Sequence, residues 1–254
     1  MRITLVCLLA SAGWAQPPAA PAQAPAPAVP QVARLLADLD PVNRLINDFG
    51  NARRYAADNQ SVKAPAPGEE RVVFMGDSIT DGGGRMAGSS FFPGKPYINR
   101  GISGQVTAQM LLRFHADVIA LKPVAVVIFA GTNDIGGNIG PVPMESTEEN
   151  LMAMAEMARG NGIKVVMASL TPVCDYIRPQ TQSRPPEKIV ALNRWIEDYA
   201  ARNNLVYLDY YSATIDEKNM FRKELTYDGL HPNVAGYEVM GPLALKAIAA
   251  ALGK

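Results

Sequence analysis

The chain is 254 residues long and carries 24 Lys and Arg against 24 Asp and Glu, a formal net charge of zero. That balance argues against a nucleic-acid binder and against a strongly basic membrane-surface protein. With residues 1–30 set aside as non-globular, about 220 residues remain, enough for one α/β domain with a well-buried core.

Residues 1–15, MRITLVCLLASAGWA, hold one early cation, an apolar run over 3–10 and small residues up to Ala15. This is the order of a secretory signal peptide cleaved after Ala15, so a secreted or periplasmic protein is expected. The run is too short to span a bilayer of about 30 Å, and no integral membrane segment is expected in the mature chain. Cys7 lies inside the run rather than at the cleavage point, which argues against a lipoprotein anchor. After cleavage Cys174 stands alone, leaving neither an internal disulfide nor a cysteine metal cluster.

Residues 16–30, QPPAAPAQAPAPAVP, cannot bury a core and suit a semi-rigid polyproline II spacer of about 3 Å per residue. A single domain is expected over 31–254, beginning with a helical extension over 31–60. There Leu35, Leu36, Leu39, Val42, Leu45, Ile46 and Phe49 follow the three-four spacing of an amphipathic helix. Asp40-Pro41 marks a break, with the aspartate capping a second helix.

Val72, Val73 and Phe74 open the first strand and run directly into Gly76-Asp77-Ser78. Further strands are expected around 97–99, 124–129, 163–169 and 205–208, with helices over 106–121, 147–159, 187–203 and 234–252. The runs at 124–130 and 165–168 are almost continuously apolar, as in parallel strands covered on both faces. Strand-helix alternation then predicts a doubly wound, three-layer α/β/α sandwich. In such sheets functional groups gather beyond the carboxyl ends of the strands. The long loops 81–96, 134–146 and 171–186 fall on that rim.

Four motifs stand there: GDSIT at 76–80, NRGISGQ at 99–105, GTND at 131–134 and DGLHP at 228–232. Alone, each has an ordinary reading as a turn, an Asx turn or a helix cap. In this order they point to acyl transfer. A serine hydroxyl is a weak nucleophile until a base takes its proton, and His231 can do so for Ser78. Asp228, three residues earlier, reaches the other ring nitrogen if the segment turns helically, fixing the tautomer. The developing oxyanion needs aimed donors, which the N–H groups of Ser78 and Gly104 and the Asn133 amide can supply. Asp77 and Asp134 read as turn and cap formers, since a hard-cation site gathers more oxygen ligands. No metal and no cofactor is expected.

Together these blocks resemble the GDSL-type esterases, also called SGNH hydrolases, over nearly the whole globular part from Arg71 onward. The resemblance implies a flavodoxin-like sheet of five parallel strands. It also implies Ser78 as nucleophile and first oxyanion donor, Gly104 as the second, Asn133 as the third, and Asp228 with His231 completing a triad. The stretch from YINRGISGQ to GTND looks closest to the acetylhydrolase-like branch acting on small acyl esters. One departure is Val106-Thr107 after SGQ, where a threonine directly following is commoner. The expected partner is a small-molecule or carbohydrate ester, with nothing in the chain to set an oligomeric state.

Several rivals fit less well. An ordinary α/β-hydrolase places its serine in Gly-x-Ser-x-Gly, which does not occur. A nucleotide or flavin binder has no use for DGLHP, and GDSITDGGGR lacks the Gly-Lys-Ser/Thr ending of a phosphate loop. Acyl transfer to another alcohol and a non-catalytic ester- or glycan-binding module remain as alternatives on the same scaffold. His115 reads as a helix-surface histidine, and Cys174 as a rim or core thiol without an activating partner. Arg85, Phe91, Phe92, Tyr176 and Arg178 lie on the presumed rim, where they shape the site or simply pack locally.

Overall fold

Five parallel strands carry the molecule: β1 (Val72–Gly76), β2 (Tyr97–Gly101), β3 (Ala125–Phe129), β4 (Lys164–Ala168) and β5 (Val206–Leu208), in the order β2-β1-β3-β4-β5. They were traced in a computed structural model that describes residues 46–84 and 91–254. The expected signal peptide, the Pro/Ala spacer and the start of the helical extension lie outside the described residues, as does Arg85.

Every residue of β1 and β3 is buried, which is why these segments read as unbroken apolar runs. Pairing is in register along the centre, with Gly76 beside Gly101 of β2 on one side and Phe129 of β3 on the other. That register brings the carboxyl ends of three neighbouring strands to one level.

The helices are α1 (Ala56–Ser61), α2 (Ser78–Gly82), α3 (Thr107–Asp117), α4 (Thr132–Ile135), α5 (Met144–Gly160), α6 (Pro186–Arg202), α7 (Tyr211–Thr214) and α8 (Val234–Ala251). They cover both faces of the sheet, giving the expected three-layer α/β/α sandwich. Helix α3 packs on β1 and α5, while α5 neighbours α6 and α8 lies against β3, β4 and β5. By length and composition α8 could cross a bilayer, at mean hydropathy 1.2. Here its Met240, Ala244, Ala247 and Ile248 join the hydrophobic core.

Of the expected apolar stripe only Ile46 and Phe49 lie among the described residues, Ile46 73% exposed and Phe49 half-buried. Between them the Asp48 carboxylate accepts from the N–H groups of Ala52 and Arg53. Asn51 turns left-handed at φ 50, and a 3-10 turn, Ala52–Tyr55, leads into α1. Helices α2, α4 and α7 span four or five residues each, too short for a periodic pattern to announce.

Candidate active site

Ser78 begins α2 immediately beyond β1. A Cβ at Gly76 would stand 2.1 Å from Thr80 Oγ1 and 2.8 Å from the Phe129 carbonyl, so glycine lets the helix start this close to the strand. Buried Asp77 caps α2, its Oδ1 accepting from the Ile79 N–H at 2.9 Å. Burial pushes the Asp77 carboxyl up to about 6, against the opposing pull of that N–H. Ser78 is left at the helix start with its hydroxyl free to face outward.

His231 meets it from the other end of the chain, with Ser78 Oγ and His231 Nε2 2.9 Å apart. His231 Nδ1 lies 2.8 Å from Asp228 Oδ2. A carboxylate at Nδ1 selects the tautomer protonated there, so Nε2 keeps its lone pair for the serine proton.

The segment does not turn helically as the sequence reading supposed. Residues 226–232 form a tight loop closed by an antiparallel bridge between Thr226 and Pro232. Thr226 Oγ1 donates to the His231 carbonyl at 2.7 Å and accepts from the Gly229 N–H at 3.0 Å. Asp228 Oδ1 accepts from the N–H groups of Leu230 and His231 at 3.0 and 2.8 Å. One carboxylate thus holds both the loop backbone and the ring. Burial works to raise the Asp228 pKa, but these N–H donors and the histidine outweigh it and hold the carboxyl below its ordinary value.

Ser78, Gly104, Asn133 and His231 line one cleft, together with Gly82, Ser103, Asn138, Arg184, Tyr227, Leu230 and Tyr237. Gly104 adopts φ 82, a conformation that favours glycine. Among the described residues no acceptor takes the N–H of Ser78 or of Gly104. Asn133 Nδ2 spends one N–H on the Gln105 carbonyl at 3.0 Å, and its Oδ1 accepts from Arg184 Nη2 at 3.1 Å. Its second amide N–H remains for the cleft. Such an arrangement can deprotonate a hydroxyl and place three N–H donors around the oxygen of an attacked carbonyl.

Asp134 is a cap, though not for its own turn. Its carboxylate accepts from the Thr107 N–H at 3.0 Å and the Thr107 hydroxyl at 2.5 Å, tying α4 to the start of α3. Thr107 therefore has a structural use, and Val106 before it is buried. Among the described residues no group of three His, Cys, Asp or Glu side chains could hold a metal ion. His115 is exposed on α3, and Cys174 is a buried core thiol whose pKa burial raises.

Four expected rim residues stay away from the cleft. Phe91 and Phe92 pack against Phe74, with ring centroids 4.9 and 5.1 Å away. Tyr176 donates to Asp216 at 2.5 Å, and Arg178 is exposed outside the cleft lining. The residues that sequence reasoning missed are Arg184, Tyr227, Asn138, Ser103 and Tyr237. Tyr227 adjoins DGLHP and lies parallel to the His231 ring, with centroids 5.6 Å apart at 11°. Arg184, in the sequence Ser-Arg-Pro-Pro, carries no local signal at all. It is 9% exposed, it packs where Gly136 has no Cβ, and among the described residues its Nε has no partner.

A family model for the GDSL-like lipase/acylhydrolase family matches residues 74–239, and the chain belongs to that family. It is therefore an esterase of the acylhydrolase type. A GDSL-like lipase from Bacteroides thetaiotaomicron is 42% identical; its crystal structure superposes with a TM-score of 0.74 over 80% of this chain and 99% of that one. A lipase/acylhydrolase from Enterococcus faecalis, 26% identical, gives a TM-score of 0.59 over 71% of this chain and 96% of that one. An acetylxylan esterase from Geobacillus stearothermophilus is 25% identical over 209 residues, 70% of this chain and 94% of that protein.

Proposed function

We propose that this protein is an exported serine esterase that removes small acyl groups, acetyl above all, from carbohydrate esters. Ser78 Oγ attacks the ester carbonyl carbon while its proton passes to His231 Nε2. The oxygen of the tetrahedral intermediate rests on the N–H groups of Ser78 and Gly104 and on the Asn133 amide. His231 then gives the proton to the departing alcohol. Water, deprotonated by the same nitrogen, attacks the acyl-serine, and the proton returns to Ser78 as the carboxylic acid leaves.

The observation that carries this reading is the continuous relay from Ser78 through His231 to Asp228, at 2.9 and 2.8 Å, beside N–H donors that no acceptor takes among the described residues. Ser103, Asn138 and Arg184 in the cleft lining offer hydrogen-bonding groups to a polar alcohol such as a sugar. Tyr227, 48% exposed beside the histidine, offers a flat ring to a sugar. The name of the Geobacillus relative agrees in substrate class. Export rests on the order of charge, apolar run and small residues over 1–15.

The test compares p-nitrophenyl acetate with butyrate and octanoate, alongside acetate release from acetylated xylo-oligosaccharides. The expected result is preference for acetyl and abolition of turnover in a folded Ser78→Ala variant. Preference for octanoate would remove the small-acyl assignment, and turnover by Ser78→Ala would remove the nucleophile.

A further inference from the structure

The loop that carries Gly104 is held by residues that precede the family match. Tyr55 is buried, and its hydroxyl donates to the Gly101 carbonyl at 2.5 Å. Gln105, 3% exposed, donates from Nε2 to the Gly50 carbonyl at 2.8 Å, while its Oε1 accepts from Arg113 Nε at 2.6 Å. Gln109 Nε2 donates to the Phe49 carbonyl at 2.9 Å. Gly50 seats closely on α3, where a Cβ would stand 2.9 Å from Leu112 Cβ.

Deeper in, Arg113 has no exposed surface. It donates to the carbonyls of Arg100 and Gly76 at 2.8 and 3.2 Å and pairs with Asp117 at 2.9 Å. Asn59 of α1 joins the same group, donating to Asp117 Oδ1 at 2.6 Å and accepting from Arg100 Nε at 2.9 Å. The network touches the end of β1, the end of β2 and the start of α3.

Residue 105 is where this network meets the cleft. Its side chain is gripped by Gly50 and Arg113, its main-chain carbonyl accepts the Asn133 amide, and its neighbour is Gly104. Gly101-Ile102-Ser103-Gly104 has little side-chain bulk of its own, and Ser103 and Gly104 are exposed. Donors to an oxyanion must stand about 2.7–3.1 Å from its oxygen, so a loop that drifts loses catalysis even while the fold persists.

We propose that segment 49–61, acting through Gln105, is a positioning element of the oxyanion pocket that sets the Gly104 N–H and the Asn133 amide against Ser78. This deepens the esterase reading and rests on it. It assigns a role in the reaction to a stretch of chain outside the region shared with the family model.

Two conservative variants of the intact protein test it. Tyr55→Phe removes one hydroxyl and keeps the ring, and Gln105→Glu keeps the acceptor for Arg113 but loses the donor to Gly50. On p-nitrophenyl acetate each is expected to lower kcat about tenfold, below the roughly hundredfold loss that a 1 Å misplacement can bring. KM and the position of the acid limb of the pH profile should stay at wild-type values. Amide hydrogen exchange should quicken over 101–105 while β1 and β3 remain protected.

Wild-type kcat in both folded variants would overturn the proposal. So would quickened exchange spread evenly over the sheet with a matching drop in Tm, because the segment would then merely stabilise the fold. If the wild-type protein hydrolyses no acyl ester, the esterase reading itself fails. Exchange at 101–105 then decides alone whether the segment holds the loop: an unchanged rate in both variants overturns the proposal, and a local increase supports the hold.

Discussion

Arg184 Nη2 donates to Asn133 Oδ1 at 3.1 Å, and this contact decides which way the Asn133 amide faces. With the oxygen held by a guanidinium and one N–H held by the Gln105 carbonyl, the side chain cannot flip without breaking both bonds. The remaining N–H is fixed toward the cleft. Arg184 is buried against the opposing attraction of Asp77 and Asp228, and burial lowers its pKa without removing its charge.

Replacing the arginine should therefore damage turnover. Arg184→Met is expected to lower kcat on p-nitrophenyl acetate about tenfold, the lower end of what a bond to a charged group is worth. Asn133→Ala, which removes the donor itself, should cost about 10²–10³-fold. Steady-state kinetics on the two variants checks the order. Wild-type kcat in Arg184→Met would show that Asn133 needs no holding.

Asp228→Asn should leave the loop in place and disable the relay. The amide oxygen can still accept from the backbone N–H groups of Leu230 and His231, while an amide at Nδ1 favours the wrong ring tautomer. A fall in kcat of about 10³–10⁴-fold is expected. The same variant has a pH signature. A carboxyl held below its ordinary pKa contributes stability that is present above the unfolded-state pKa and lost as pH falls through the folded one. Acid unfolding of the variant should accordingly be less steep below about pH 4. Equal acid sensitivity in the two proteins would contradict the assignment.

Asp77 works in the opposite direction. Its folded pKa of about 6 lies above the ordinary 3.8, so the folded state holds a proton longer and stability falls as pH rises between those values. Asp77→Asn can keep the cap to Ile79 without the buried charge. Thermal unfolding should show the variant gaining on the wild type from pH 4 to pH 7, by up to about 3 kcal/mol, with the gain vanishing at lower pH. A gain that is constant across pH would mean the carboxyl is not ionising.

The histidine loop should tolerate no side chain at its turn. Gly229 sits at φ 92, and a Cβ there would come 2.3 Å from the Cys174 carbonyl, whose own N–H donates to the Gly229 carbonyl at 2.8 Å. Gly229→Ala should destabilise by roughly 1–3 kcal/mol through backbone strain, more if the close approach cannot relax. Loss of activity should accompany it. Chemical denaturation measures the first, and an unchanged midpoint would show that the loop has room.

Much of this could be read from the residues. Strands β1, β3 and β4 declare themselves because both faces are covered, so Val72-Val73-Phe74, Ala125-Val126-Val127 and Val165-Val166-Met167 need no polar alternation. The motifs follow because small residues stand where strand ends crowd against helix starts, as at Gly76 and Gly101. What stayed hidden depends on tertiary contacts. Arg113, in LLRFHAD, reads as a solvated helix residue, yet two strand-end carbonyls, Gln105 and Asp117 enclose it completely. Arg184 reads as a loop cation, and its partner Asn133 lies 51 residues away. The spacing of Asp228 and His231 was informative, but a bridge and an Asx-type carboxylate, not a helical turn, bring them together.

Ser78 and His231 are separated by 153 positions along the polypeptide. On the proposed mechanism, a nascent chain halted before residue 231 lacks the base for Ser78. Such a hydrolase would stay mute until the 226–232 loop has docked onto the sheet, and the first cleaved ester would signal that event. In refolding experiments, recovery of turnover should be the latest event to report, trailing any spectroscopic sign that the strands have assembled.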